Sequence, residues 1–214
     1  MLKKLILLTV SILLLNFGFL WAQEEAPEQG PLTPQSRTNQ RSLGDQAFTI
    51  SAGVILPLFT VLLNDNPATG NPAGVTDMNM KKIGGMGSLT YSFYLSANVK
   101  LGLQLAGTFN WDINDNLLYM IPISVKGSYE FHPYSRLTIP VHLALGINMT
   151  SWKEEFTVDT LIRPGFGVYF DWNIEWSFGM DFTYWFIPQL SSKDERFDSL
   201  ANFMDINIGA EYHF

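Results

Sequence analysis

From Ala47 to the C-terminus, apolar and polar positions alternate with period two. Alternation of that kind marks a strand with one apolar and one polar face. Phe48, Ile50, Ala52, Val54 and Leu56 oppose Thr49, Ser51 and Gly53 in the first such segment. Leu89, Tyr91, Phe93 and Leu95 then alternate with Ser88, Thr90, Ser92 and Ser96. In the third, Leu101, Leu103, Leu105, Phe109 and Trp111 alternate with Gly102, Gln104, Ala106, Thr108 and Asn110. Tyr119, Ile121, Ile123, Val125, Tyr129 and Phe131 face away from Pro122, Ser124, Lys126, Ser128 and Glu130 in the fourth. Residues 137–149 carry an apolar side chain at every odd position. Segments 162–172, 176–186 and 203–214 complete eight.

The connections predicted between these strands alternate in length. Tight turns fall at 97–100, 132–136 and 171–175, whereas 60–87, 150–161 and 187–202 read as long loops and 112–116 as a short one. Short turns at one end and longer loops at the other predict an all-β, eight-stranded antiparallel up-and-down transmembrane β-barrel, with both termini in the periplasm. A soluble lipocalin-like barrel shares the alternation but turns its apolar face inward and carries many charges outside. Here the non-apolar face is mostly Gly, Ser, Thr, Ala and Asn, which suits a narrow lumen better than a water-facing surface. The apolar face is nearly free of charge, as hydrocarbon requires, since a mid-membrane Lys or Arg there costs about 2–4 kcal/mol. Aromatics gather near the turn end (Tyr129, Phe131, Phe170, Trp172, Trp176, Tyr212, Phe214) and the loop end (Phe59, Trp111, Tyr184, Phe186), as interfacial girdles do. Pro57, Pro122, Pro140, Pro164 and Pro188 each remove a ladder donor, and are expected at rims or bulges.

Composition fits a chain immersed in lipid. Of 214 residues only 15% are charged, against about 25% in soluble domains. Residues 1–22 read as a signal peptide: Lys3 and Lys4, an apolar run, then Trp21-Ala22. An uncleaved inner-membrane anchor is the alternative, because the run nears the ~20 residues a spanning helix needs. Residues 23–46, rich in Gln, Glu, Pro and Ser, are expected to form a disordered periplasmic tether, leaving 47–214 for the barrel. The absence of Cys excludes a lipid anchor at the cleavage site, disulfides and thiolate metal sites. A net charge of −7 argues against nucleic acid as a partner.

Candidate chemistry is sparse. His132 lies in a predicted turn, while His142 and His213 face the lumen near its periplasmic end without a third metal ligand or a Ser close by on their strands. No metal, cofactor or enzymatic activity is therefore expected. What the inward face does carry is charge: Lys126 and Asp181 at mid-depth, Arg163 and Asp205 nearer the loops, and Glu211 nearer the periplasm. Their signs and depths allow Lys126 to pair with Asp181 or Glu211, and Arg163 with Asp205, in a lumen just wide enough for side chains to fill. A water-filled passage lined by the same charges is the other reading.

The last strand ends Asn207-Ile208-Gly209-Ala210-Glu211-Tyr212-His213-Phe214. Asn207, Gly209, Tyr212 and Phe214 resemble the C-terminal assembly signal of bacterial outer-membrane barrels: a polar residue, a Gly, then two spaced hydrophobics ending on an aromatic. Together with the length and the strand count, this resembles the small outer-membrane barrels of the OmpW/OmpX type. The resemblance implies residence in the outer-membrane bilayer and insertion by the outer-membrane assembly machinery. It also implies one of two roles, a narrow conduit for small or hydrophobic solutes, or a structural or adhesive surface protein that acts through its loops around a plugged lumen.

Overall fold

The structure, a computed structural model, describes residues 41–65, 72–153, 155–189 and 198–214. The expected signal peptide and residues 23–40 of the tether lie outside them. Eight long strands run antiparallel: β1 (Gln46–Leu62), β3 (Gly84–Ser96), β4 (Val99–Trp111), β5 (Leu117–Tyr134), β6 (Leu137–Trp152), β7 (Glu155–Asp171), β8 (Trp176–Gln189) and β9 (Ser199–His213). Each pairs with the next, and a short β2 (Gly74–Thr76) pairs with β1 at Thr60–Leu62. The sheet closes where β1 meets β9, from Ala47 opposite His213 to Leu62 opposite Ser199. At the seam's turn end, Gln46 N donates to Phe214 O at 3.1 Å and Phe214 N to Gln46 O at 3.0 Å. A closed ring of long strands has no open edge to solvate, and this is an eight-stranded antiparallel β-barrel.

The alternation orients the wall as expected. Ile50, Leu103 and Ile208 are 55%, 63% and 68% exposed on the outside, while Thr90, Ser92 and Ser124 are buried inside. Near the turn end, Trp176 packs on Tyr212 at 4.9 Å between ring centroids and Tyr212 on Phe214 at 5.6 Å, so the last strand's aromatics belong to a contiguous outer girdle.

Several boundaries move. The segment expected as a long loop at 150–161 instead extends β6 to Trp152 and begins β7 at Glu155, and these two residues face each other across the pair. The reason is visible in retrospect: Phe156 and Val158 stay in phase with the outward row of β7, and polar neighbours obscured them. Lys100, expected in a turn, is the second residue of β4. Residues 41–46, expected in the tether, are already tied to the turn end, with Arg41 Nη1 donating to Ile174 O at 2.9 Å and Gly44 N to Tyr94 O at 3.0 Å.

The prolines also depart from expectation. Pro57 does sit at a register shift between β1 and β9, and Pro188 lies next to the end of β8. Pro122, Pro140 and Pro164 instead lie inside long strands. Around them the pairing skips from Leu105↔Ile123 to Thr108↔Met120, from Thr138↔Tyr169 to Val141↔Phe166, and from Ile162↔Phe186 to Gly165↔Thr183. The register is the same on both sides of each gap, and each proline keeps its partner on the other neighbouring strand. A missing N–H disturbs one ladder only, so a strand tolerates it if the second ladder holds.

Inside the wall, Tyr169 lies across glycines of the next two strands. A Cβ on Gly179 would fall 2.3 Å from the Val168 carbonyl and 2.6 Å from the Tyr169 ring, and one on Gly209 would fall 2.8 Å from the Tyr169 hydroxyl. Gly209 of the terminal motif is thus a seat for an aromatic ring. On the outer face, Gly107 has nothing within 4 Å of its would-be Cβ. In urea unfolding of the refolded barrel in micelles, Gly179→Val should cost about 1–3 kcal/mol by overpacking, whereas Gly107→Val should be neutral. Equal effects would contradict this assignment of faces.

Candidate functional site in the barrel lumen

The lumen holds two kinds of filling, stacked from the loop end to the turn end. Toward the loops it is apolar. Ile55, Met86, Met120, Leu161, Trp185 and Phe203 form one buried cluster, with the Trp185 and Phe203 rings 6.5 Å apart. These side chains stand in the inward phase of their strands, the phase that further down carries Ser, Thr and Asn. Met78 and Met80, from the connection between β2 and β3, pack against the cluster. That connection is fastened to the β4–β5 turn: Lys81 N donates to Trp111 O at 2.7 Å, Ile113 N to Asn79 O at 3.1 Å, and Lys81 pairs with Asp115.

Beneath the apolar cluster lies a buried cation. Arg163, 1% exposed, reaches Asp205 Oδ2 through Nη2 at 3.0 Å and Gln104 Oε1 through Nη1 at 3.0 Å. Its guanidinium also lies 4.1 Å from the Trp185 ring, whose indole N–H donates to Asp205 as well. Asn207 Nδ2 donates to the other Asp205 oxygen. One carboxylate so gathers three donors from β7, β8 and β9, and compensates a charge that water cannot reach.

Lower still, Lys126 Nζ and His142 Nδ1 each stand 3.9 Å from Asp181 Oδ1, and Tyr169 donates to Asp181 Oδ2. Nearest the turn end, Lys100 Nζ lies 2.8 Å from both Glu130 Oε1 and Glu211 Oε1. Thr49 Oγ1 donates to Glu211 at 2.7 Å and Tyr94 OH to Glu130 at 3.2 Å. A cavity of about 30 Å³ opens among these groups, room for about two waters by the volume one water needs.

Of the five charges read from the sequence, the structure brings Arg163 and Asp205 into direct contact and leaves Lys126 and Asp181 at 3.9 Å. Glu211 meets Lys100 rather than Lys126. Lys100 and Glu130 are the charges the sequence reading left out of the network. Extending the polar phase of β4 back from Gly102 by two residues would have found Lys100, and Glu130 was already in phase with Lys126. In the terminal motif, Asn207 and Gly209 face inward onto Asp205 and Tyr169, while Tyr212 and Phe214 face outward.

The histidines have separate partners. His142 Nε2 lies 3.4 Å from Thr183 Oγ1. His213 Nε2 lies 3.1 Å from Ser177 Oγ, a neighbour across the strand pair that a search along one strand misses. Ser177 donates its proton to Asp171 at 2.6 Å, so its hydroxyl presents lone pairs, not a proton, to the imidazole. The trio ties β7, β8 and β9 together at the mouth and is not arranged as a nucleophile with its base. At the opposite rim, burial tends to raise the Asp112 carboxyl, but donors from Asn116, Asn114 and Lys153 outweigh it and hold it at about 2. A carboxyl depressed in the fold stabilises above its unfolded value and loses that contribution only as pH falls through about 2, so this rim stays latched at any ordinary pH.

Removing one partner of a buried ion pair typically costs about 3–5 kcal/mol, because a lone charge remains. Arg163→Met should therefore lower the unfolding free energy in micelles by about that amount, and adding Asp205→Leu should recover most of it. Lys100→Met, which strands two carboxylates, should cost more than Lys126→Met, whose partner is already at 3.9 Å. The reverse order would show that this pairing does not hold in the refolded protein.

With this geometry in hand, the chain can be set beside known proteins. One protein-family model matches residues 24–212. An uncharacterized protein of Treponema pallidum (strain Nichols) is 25% identical over 209 residues, covering 97% of this chain and 94% of its own. Among solved structures, Neisserial surface protein A superposes with a TM-score of 0.55 at 12% identity, over 80% of this chain and 97% of that one. The outer membrane protein OprG from Pseudomonas aeruginosa gives 0.49 at 13% identity, over 82% and 98%. The chain belongs to the family whose model spans residues 24–212, and its fold is that of the small eight-stranded β-barrels of the outer membrane.

Proposed function

We propose that this protein is an integral outer-membrane barrel with a sealed lumen, which acts through its loop-end surface rather than by passing solutes. The observation that carries the reading is the buried apolar cluster around Trp185 and Phe203 across the loop half of the bore. A hydrophobic constriction excludes water and ions unless it widens. Below it, any solute would have to part Arg163 from Asp205, or Lys100 from its two carboxylates, leaving buried charges alone. The conduit reading needs a continuous bore, and the small cavity near the turn end does not supply one.

In this reading residues 1–22 direct export, the tether hangs in the periplasm, and the short turns face the same side, as in other transmembrane barrels. The loop end then faces outward. Neisserial surface protein A is named for a cell surface, and the same placement suits this chain. Val75 on β2, Ile83 just before β3 and Ile113 in the β4–β5 turn, 73%, 61% and 64% exposed, are among the apolar side chains offered there for contact. Asn207, Gly209, Tyr212 and Phe214 serve insertion by the assembly machinery, with the two aromatics reaching it from the lipid-facing side.

Planar-bilayer recording of the native protein tests the seal. Baseline conductance is expected, and Trp185→Ala with Phe203→Ala should produce openings; a large, steady native conductance would overturn the sealed reading. Deleting Phe214 should cut insertion in cells while detergent refolding stays largely intact, because the residue adds the last pair of seam hydrogen bonds and one ring contact to Tyr212. Wild-type surface levels of the deletion would remove Phe214 from the signal.

A further inference from the structure

We infer that Met78 and Met80 form a sulfoxidation site that controls the seal, an inference resting on the sealed-lumen reading above. The distribution of methionine across the described residues singles out this pair. Met149, Met180 and Met204 stand in the outward, lipid-facing rows of β6, β8 and β9, and Met86 and Met120 are 5% and 2% exposed inside the plug. Met78 and Met80 alone sit at the water-facing mouth, partly exposed and flanked by exposed Asp77, Asn79, Lys81 and Lys82. They are also the residues through which the 77–83 segment touches the plug. Asn79 between them has φ of 54°, a left-handed kink in the segment.

The chemistry is that of a thioether with a peroxide. Each sulfur gives up two electrons and gains one oxygen atom, the O–O bond breaks, and the peroxide leaves as water. The product is a strong hydrogen-bond acceptor placed against the buried apolar cluster, where an unpaired polar group is unfavourable. The sulfoxides gain by turning to water. Among the described residues the segment is held otherwise at its edge, by backbone bonds to Trp111 and Ile113 and the exposed Lys81–Asp115 pair, so turning them outward lifts it from the plug. The apolar cluster then loses the contact that Met78 and Met80 make with it. Reduction by methionine sulfoxide reductase restores the thioether and the seal.

The test uses the full-length barrel in planar bilayers and in micelles, with hydrogen peroxide as oxidant and peptide mass spectrometry as the count. The untreated protein should be silent; if it conducts, the sealed reading fails independently of this inference. After mild treatment, Met78 and Met80 should carry oxygen before Met86 and Met120 do. Discrete openings should appear with that first pair, and reductase should abolish them. Met78→Leu with Met80→Leu, which keeps the apolar contact, should stay silent under peroxide. Met78→Gln with Met80→Gln, which mimics the polar product, should open without it. Three results would overturn the inference: Met86 oxidised as fast as Met78, Met78 and Met80 left unoxidised, or both fully oxidised with conductance still at baseline.

Discussion

A peptide group in hydrocarbon finds no water to bond, so a wall built of strands is viable only if the sheet closes. Everything else in this barrel depends on the pairing of β1 with β9 that achieves closure. β1 carries an uneven load. One side is paired along most of the strand to β9, with a single shift after Pro57, whereas the other is shared between β3 up to Ile55 and β2 at Thr60–Leu62. The three interior prolines are tolerated for the same reason. Each breaks one ladder and leaves the other intact, so the register, and with it the sorting of side chains inward and outward, survives.

Closure at eight strands also sets the bore. It is narrow enough that side chains meet across it, so the inward residues are a core in every respect but polarity. The two halves solve that problem differently. The loop half excludes water with Trp185, Phe203 and their neighbours, and the turn half satisfies charge with charge around Lys100 and its carboxylates. Arg163 is the joint between them. Its guanidinium lies 4.1 Å from the Trp185 ring while Nη2 binds Asp205, so one side chain is at home in both environments.

The apolar cluster ties the lumen to the loops. The connection before β3 crosses from the end of β2 to the β4–β5 turn, and two methionines on it extend the apolar plug toward water. The hinge-free latch at Asp112, held by Asn114, Asn116 and Lys153, keeps that turn fixed as an anchor. The same bonds also hold the exposed loop residues in place.

Much of this was legible in the residue order. Period-two alternation located all eight long strands and oriented their faces, because each side chain's direction in a strand is set by its own backbone position. The uncharged outer face told lipid from water, and depth along the strand brought Arg163 to the level of Asp205. Other features were not legible. The hairpin at 150–161 and the place of Lys100 in β4 depend on where pairing stops, and pairing is decided by the neighbouring strand. Whether Glu211 meets Lys126 or Lys100 depends on which strands face each other across the lumen, which no single strand contains. The apolar plug was hidden because Ile55, Met86, Met120, Leu161, Trp185 and Phe203 lie on six different strands, each strand adding one or two apolar residues at the loop end of a polar phase. Only closure brings them together, where hydrophobic contact across the bore makes them one cluster.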